Sequence, residues 1–463
     1  MPVQALLRRS VASVRGPSSF ELLTKLHRIK EAPLEFLAEY TRDYGDLWGF
    51  TVGGQEVVFV NHPDVVRRVL LDNARSYSKD TFQYRQLARI TGDGLLTSDG
   101  EVWFSHRRLL QNAFHPKHYA ELVSIASEEA HALSLHLHSA DPRKSGVIVD
   151  IHSRMLRLAM RILERMFFSE DSSGEVSQLV EDTEAALDYI VQSALQIPPL
   201  SLWTQLRGSR GFKHRLRRID CFVHCLMRQH QKGNARGATK LLDLLMAALE
   251  GRAEPAMSEH QVRDEIVTLI IAGHETVATA LSWTLYLVAQ HSDIQEAMRA
   301  ELSQVLGAAP SLTLEELPRL KLTRSVVEEA LRLFPPAWLI TRRAIREDVL
   351  GGHIIPAGTL VVISPYILHR HAAFWREPER FDPMRFDPLH AKTPPRFAYL
   401  PFGAGPRLCI GHQFAMLESV AVLATLVRHL RFSLVPGYPR PRMQARVTLQ
   451  PHGGLWLQVQ PAQ

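Results

Sequence analysis

Only three of the 463 residues are cysteine, Cys221, Cys225 and Cys409. They are too few and too unevenly spaced for a disulfide framework, so a reducing, cytoplasmic setting is expected. No Gly-rich dinucleotide fingerprint follows a strand pattern, and no cysteine cluster has the spacing of an iron–sulfur centre. Any redox chemistry would therefore draw its electrons from a separate protein. Internal repeats are missing, as is any linker that would split the chain. At the N-terminus, MPVQALLRRSVASVRGPSSF has Arg8, Arg9 and Arg15 interrupting every apolar run. Residues 1–40 are expected to form a loose lead-in, with neither a signal peptide nor a membrane anchor. Charge is nearly absent from Ile266 to Gln290, where Glu275 stands alone. The run is long enough to span a bilayer, but its polar centre, AGHET, favours a buried core helix.

What remains suits a folded protein with a large core: 46% of residues are hydrophobic and 22% charged. A Gly-Gly turn between β-branched and aromatic runs in 46–61 signals a hairpin. Apolar residues then recur at three- and four-residue spacing in 122–139, 150–168, 175–196 and 212–230, which predicts helices. After residue 340 short strands appear, as in 353–364, followed by a proline-rich stretch over 378–406. The expected class is mainly α with smaller β-sheets. The formal charge of +6 leaves nucleic acid, an anionic membrane and an acidic protein partner open. Ten Lys or Arg residues and one acid, Asp220, occupy 203–240, behind the apolar turn at 197–203. A solvated basic helix face is the preferred reading, with peripheral membrane contact near 197–218 as the alternative. Cys221, His224 and Cys225 share a helix but complete no zinc site, so ordinary helix packing is expected of them.

The most specific local feature is FGAGPRLCIG at 402–411, ahead of a long apolar helix pattern. A cysteine that opens a helix, where Gly403 and Gly405 admit backbone N–H groups, has its thiolate favoured and is a ready metal ligand. The spacing F-x-x-G-x-R-x-C-x-G resembles the haem motif of the cytochrome P450 family. Three further motifs stand in that family's order: Trp103 and Arg107 in EVWFSHRRLL, AGHET at 272–276, and Glu329 with Arg332 in VVEEALRLFPP. The resemblance covers the chain from about residue 45 and implies one P450 haem domain over 41–463, without a fused reductase.

The same resemblance implies heme b (iron protoporphyrin IX) with Cys409 as axial thiolate ligand, Phe402 shielding the sulfur and Gly411 leaving room for the macrocycle. Trp103, Arg107, Arg342 and Arg407 would meet the propionates, with Arg343 able to substitute for Arg342. Glu329, Arg332 and Arg380 of PERF would form a structural network. His106 is read as facing solvent. In AGHET, Thr276 and Glu275 would deliver protons to dioxygen on a locally widened central helix. Gly273 costs about 1 kcal/mol in a helix interior, which suggests close approach of oxygen or substrate. Phe82, Tyr84, Leu87, Ala272, Gly273, Trp338, Leu339 and Val447 are the candidate substrate lining. The implied activity is insertion of one atom of O2 into a C–H bond of a carotenoid, terpene or fatty acid, whose carboxylate Arg85 could hold. Residues 81–96 and 335–343 resemble the carotenoid-ring hydroxylase branch. Electrons would come from a ferredoxin or flavodoxin with its reductase, steered by Arg107, Arg108 and Lys117, and no nucleic acid is involved. A peroxide-using haem-thiolate enzyme and a haem sensor are the rival readings, and AGHET weighs against both.

Overall fold

The computed structural model describes residues 14–139, 146–168, 176–194, 202–232, 240–307, 311–387 and 394–462. The chain divides into two compact units that interleave along the sequence. The first comprises the described residues of Met1–Arg85, Ala337–Arg380 and Thr393–Cys409, and the second those of Gln86–Pro336, Phe381–Lys392 and Ile410–Gln463.

The first unit is built on a five-stranded sheet in the spatial order Leu47–Val52, Gln55–Val60, Leu360–Ile363, Ile340–Ala344 and Tyr77–Ser78. Its first two strands form the expected hairpin, and the turn demands glycine because Gly53 and Gly54 sit at φ +55° and +78°. Gln55–Val60 pairs in parallel with Leu360–Ile363, while the other neighbours are antiparallel. Helices Ser19–Thr24 and Pro33–Tyr44 bring Leu22, Phe36 and Tyr40 onto Trp48 and Phe59 in one buried cluster. The loose lead-in expected over residues 1–40 is thereby corrected for its described part. Burial of Leu22, Phe36 and Tyr40 ties the segment to the sheet.

In the second unit the central helix, Glu259–Gln290, runs 32 residues, roughly 48 Å at 1.5 Å per residue. Ser258 and Gln261 form a capping box at its start. It packs against Ile151–Phe167, Lys321–Leu333 and His412–His429. A helix apolar on all sides is stable only when surrounded. Among the described residues this one alone is long and apolar enough to cross a membrane, yet its most apolar stretch is 83% buried inside the protein. A hairpin of Arg442–Ala445 and Leu449–His452 docks on it through Trp283 Nε1, which donates to Leu449 O at 2.7 Å.

The helix Leu202–Gln231 corrects the reading of its cysteines. Phe222, Val223, Leu226 and Met227 take the buried face, and Cys221 and Cys225 are exposed rather than packed. His224 Nδ1 lies 2.6 Å from Asp220 O, and among the described residues no cluster of metal-binding side chains forms. Arg215 and Arg218 both pair with Asp182 at 3.0 Å, so part of the basic run is neutralised internally. Of the segment near 197–218 considered for membrane contact, residues 197 to 201 lie outside the described residues.

Candidate active site

In the first unit the segment FGAGPRLC closes on itself: the Cys409 amide donates to Phe402 O at 3.0 Å, spanning a 3-10 turn at Gly405–Arg407. Gly403 and Gly405 hold φ values of +70° and +69°, in the left-handed region where glycine is the ordinary residue. A Cβ on Gly405 would stand 1.8 Å from Leu70 O, so only glycine lets the loop rest on the turn at Arg68–Asp72. Its entry is pinned by two buried residues that sequence reasoning missed. His369 Nε2 accepts the Leu400 amide at 2.7 Å, and Trp375 Nε1 donates to Ala398 O at 3.3 Å. Cys409 is presented at the surface of this unit. It does not open the following helix as expected, because that helix begins at His412 with Gly411 as its N-cap.

The central helix carries the second group. Through its middle nearly every side chain is buried, but Ala272, Gly273 and Thr276 stay partly accessible on one face. Thr276 Oγ1 donates back to Ala272 O at 2.8 Å. Glu275 is buried, with Oε1 accepting from Thr448 Oγ1 at 2.5 Å and Gln450 Nε2 at 2.8 Å. One expectation is corrected here. The helix is regular α throughout, without a widened turn. A Cβ on Gly273 would lie 2.2 Å from Leu163 Cδ1, the end of a side chain that would have to shift.

The Cytochrome P450 family pattern matches residues 14–457. Cyclooctatin synthase of Streptomyces melanosporofaciens is 35% identical over 90% of each chain. The protein LUTEIN DEFICIENT 5, chloroplastic, of Arabidopsis thaliana is 31% identical over 91% of this chain and 73% of its own. The crystal structure of CYP175A1 from Thermus thermophillus superposes with a TM-score of 0.73 at 30% identity, covering 97% of this chain and all of that one. The chain belongs to the cytochrome P450 family. It is a haem monooxygenase, and the family's cofactor is haem b with an axial cysteine thiolate.

The loop of this P450 fits such a group. Cys409 is exposed, its backbone is held by hydrogen bonds, and no atom lies within 4 Å of where a Cβ on Gly403 would stand. A Cβ on Gly411 would press on Phe114 Cε1 at 3.3 Å. Phe114 in turn packs against Phe167 and Phe414. Phe402 and Arg407 are both half-buried.

The buried pair Glu329 and Arg332 forms as expected, with Nε and Nη2 of the arginine at 2.7 and 2.8 Å from the carboxylate. Burial pushes the Glu329 carboxyl up, and its hydrogen bonds to Arg332 and Asp382 oppose that push. The third member is not Arg380. Arg385 Nε reaches Glu329 Oε1 at 3.3 Å and the Asp382 amide donates to the same oxygen at 2.9 Å. Arg380 pairs instead with Glu377 at 3.4 Å, its side chain 64% exposed. The chain contains P-x-R-F twice, at 378–381 and 383–386, and the fold uses the second.

Trp103 is buried, and the Arg107 guanidinium lies over its ring at 5.6 Å. His106 faces inward, not toward solvent: Nδ1 sits 2.7 Å from Oε1 of the fully buried Glu265, whose other oxygen accepts the Leu95 amide. Arg342 is buried on its strand, whereas Arg343 donates to Asp80 O at 2.7 Å and so is committed elsewhere. Among the lining candidates Leu87 and Trp338 are buried, and Tyr84, Leu339 and Val447 are intermediate. Phe82 is 53% exposed, and the Lys79 ammonium lies over the Tyr84 ring at 4.6 Å.

Proposed function

We propose that this P450 hydroxylates an unactivated C–H bond of a terpenoid or carotenoid, with Cys409 as its haem ligand and a separate ferredoxin or flavodoxin as electron donor. The observation that carries the reading is the accessible strip of the central helix. Ala272 and Gly273 offer an apolar surface, Thr276 adds one hydroxyl, and Glu275 lies buried next to it in sequence. A surface of this kind suits a greasy substrate and admits a proton at one point. Relatives named cyclooctatin synthase and cyclooctat-9-en-7-ol 5-monooxygenase, together with LUTEIN DEFICIENT 5, support this substrate class.

When bound, the haem supplies oxygen activation and insertion. The chain supplies the rest. Phe402 would shield the ligand sulfur, Arg107, Arg342 and Arg407 would neutralise the propionates, and Trp103 would donate its indole N–H to one of them. Glu329, Arg332 and Arg385 hold the surrounding backbone rigid. Thr276 Oγ1, now donating to Ala272 O, can turn its hydroxyl hydrogen about the Cβ–Oγ1 bond and present it to substrate-side atoms. Glu275 replaces that proton. Arg108 and Lys117, both exposed, give an acidic electron carrier a basic face to approach.

The test compares β-carotene, a cyclic terpene alcohol and a long-chain fatty acid by the substrate-induced shift of the Soret band and by product formed per reductant. Tighter binding and faster oxidation of the fatty acid would overturn the terpenoid and carotenoid assignment.

A further inference from the structure

Gln450 places one amide nitrogen between two carboxyl groups. Its Nε2 lies 2.8 Å from Glu275 Oε1 and 3.4 Å from Oε2 of Glu184, on the helix Val176–Ala194. Thr448 Oγ1 makes the second bond to Glu275 Oε1. The remaining oxygens, Glu275 Oε2 and Glu184 Oε1, are buried and have no hydrogen-bond partner among the described residues. One turn beyond Glu184, Asp188 pairs with Arg446, and these side chains are 32% and 26% exposed. Acidic and amide groups thus run from the buried centre of the core helix to solvent, past buried Thr183, Leu187 and Ile190.

Two carboxylates in a low-dielectric site cannot both ionise cheaply. Burial pushes both above the usual range; the charge of Glu275 adds to this at Glu184, while the Thr448 and Gln450 donors oppose it at Glu275. The other charged groups that act on them are Asp188 and Arg446. A donor that touches both acids, with one bare oxygen left on each, fits a unit holding one proton between them.

We propose that Glu184 and Glu275 act as one two-carboxyl unit, positioned by Gln450, through which Glu275 recovers the proton it gives up during turnover. This rests on the reading of Glu275 as the proton donor behind Thr276. In the step, the O–H bond of Glu275 breaks as its proton leaves toward Thr276. Both groups are then carboxylates, and Glu184 takes up a proton from solvent at the Asp188 and Arg446 end. That new O–H bond breaks as one forms on the Glu275 carboxylate, directly or through one water, so no oxidant or reductant is needed.

The experiment uses haem-loaded wild type, Glu184→Gln, Gln450→Leu and Glu275→Gln, each checked by melting temperature and by its reduced carbon monoxide spectrum. One readout needs no turnover: the infrared C=O stretch of protonated carboxyl groups, followed as a function of pH in the resting protein. Wild type is expected to keep a buried protonated carboxyl into the neutral range. Glu184→Gln should remove the like charge and move the Glu275 titration down, in a single step. In turnover, Glu184→Gln should raise hydrogen peroxide released per product by roughly tenfold or more, with the solvent isotope effect enlarged. Gln450→Leu removes a donor that favours the charged form of Glu275, so it should move the infrared titration up while it also raises peroxide per product, which keeps the test available if one variant loads poorly. An unchanged infrared titration and coupling ratio in folded Glu184→Gln overturns the proposal. If Glu275→Gln uncouples while Glu184→Gln behaves as wild type, only the two-carboxyl unit falls. If Glu275→Gln itself stays coupled, the reading of Glu275 falls and the unit with it.

Discussion

Arg385 and Arg380 offer the sharpest test of how the Glu329 network is built. Glu329 and Arg332 are both fully buried, and the carboxylate accepts four bonds: two from Arg332, one from the Asp382 amide and one from Arg385. Removing Arg332 would leave a buried charge without its main partner, at a cost of about 3 to 5 kcal/mol. Arg385→Ala removes one charge-assisted bond, which is worth about 1.5 to 3 kcal/mol. Its length, 3.3 Å, and the three remaining donors place the expected loss near the lower end. Arg380→Ala breaks a pair whose side chains are 64% and 56% exposed, where about 0 to 1 kcal/mol is typical. The expected order of loss is therefore Arg332, then Arg385, then Arg380. Urea unfolding of the holoprotein, followed by tryptophan fluorescence and by the reduced carbon monoxide band, measures it. Two compact units need not unfold in one step, so midpoints are compared probe by probe. Equal or greater destabilisation by Arg380→Ala would refute the assignment of Arg385.

Three other perturbations have definite outcomes. Cys409→Ser should abolish the long-wavelength carbon monoxide band that marks thiolate ligation; a variant that keeps the band would remove Cys409 as the ligand. Thr276→Ala should melt within about 1 kcal/mol of wild type, because the lost bond is a back-bond to Ala272. It should nonetheless release more hydrogen peroxide and less product per reductant, and an unchanged ratio in folded protein would exclude Thr276 from proton delivery. Burial raises the Glu418 carboxyl, on the helix His412–His429, to about 8 from an ordinary 4.5. A carboxyl raised by folding contributes stability below its unfolded value and loses it as pH climbs toward the folded one. Glu418→Gln should therefore match wild type near pH 4.5 and exceed it above pH 8 by a few kcal/mol, since each pH unit between the two values is worth roughly 1.4 kcal/mol. A gap of equal size at both pH values would contradict this reading.

What the sequence discloses and what it withholds follow from the range of the interactions involved. The hairpin at Gly53 and Gly54, the self-closing loop from Phe402 to Cys409 and the pairing of Glu329 with Arg332 depend on residues within a few positions of one another. Their spacing therefore carries the geometry. His106 misleads because a histidine amid arginines reads as surface, yet it shares a helix face with Trp103, three residues earlier, and that face turns inward to Glu265. Gly273 carries a different kind of signal: a glycine in an apolar helix marks a close neighbour without naming it, and the side chain nearest to it is Leu163. The two copies of P-x-R-F are locally indistinguishable, and only the position of the Glu329 carboxylate selects Arg385.

Glu184, Thr448 and Gln450 bear no local mark at all, since Thr448 and Gln450 meet Glu275 across 173 and 175 positions of chain and Glu184 meets Gln450 across 266. Nothing in AGHET says what its acid will touch. A carboxylate buried in an apolar helix must find donors or keep its proton, and Glu275 finds two while leaving one oxygen bare. Two donors on one oxygen favour the charged form, and the bare oxygen in a dry site favours the neutral one. A group held between those forms by opposing demands can release a proton and take it back, which is the property that a donor behind Thr276 requires.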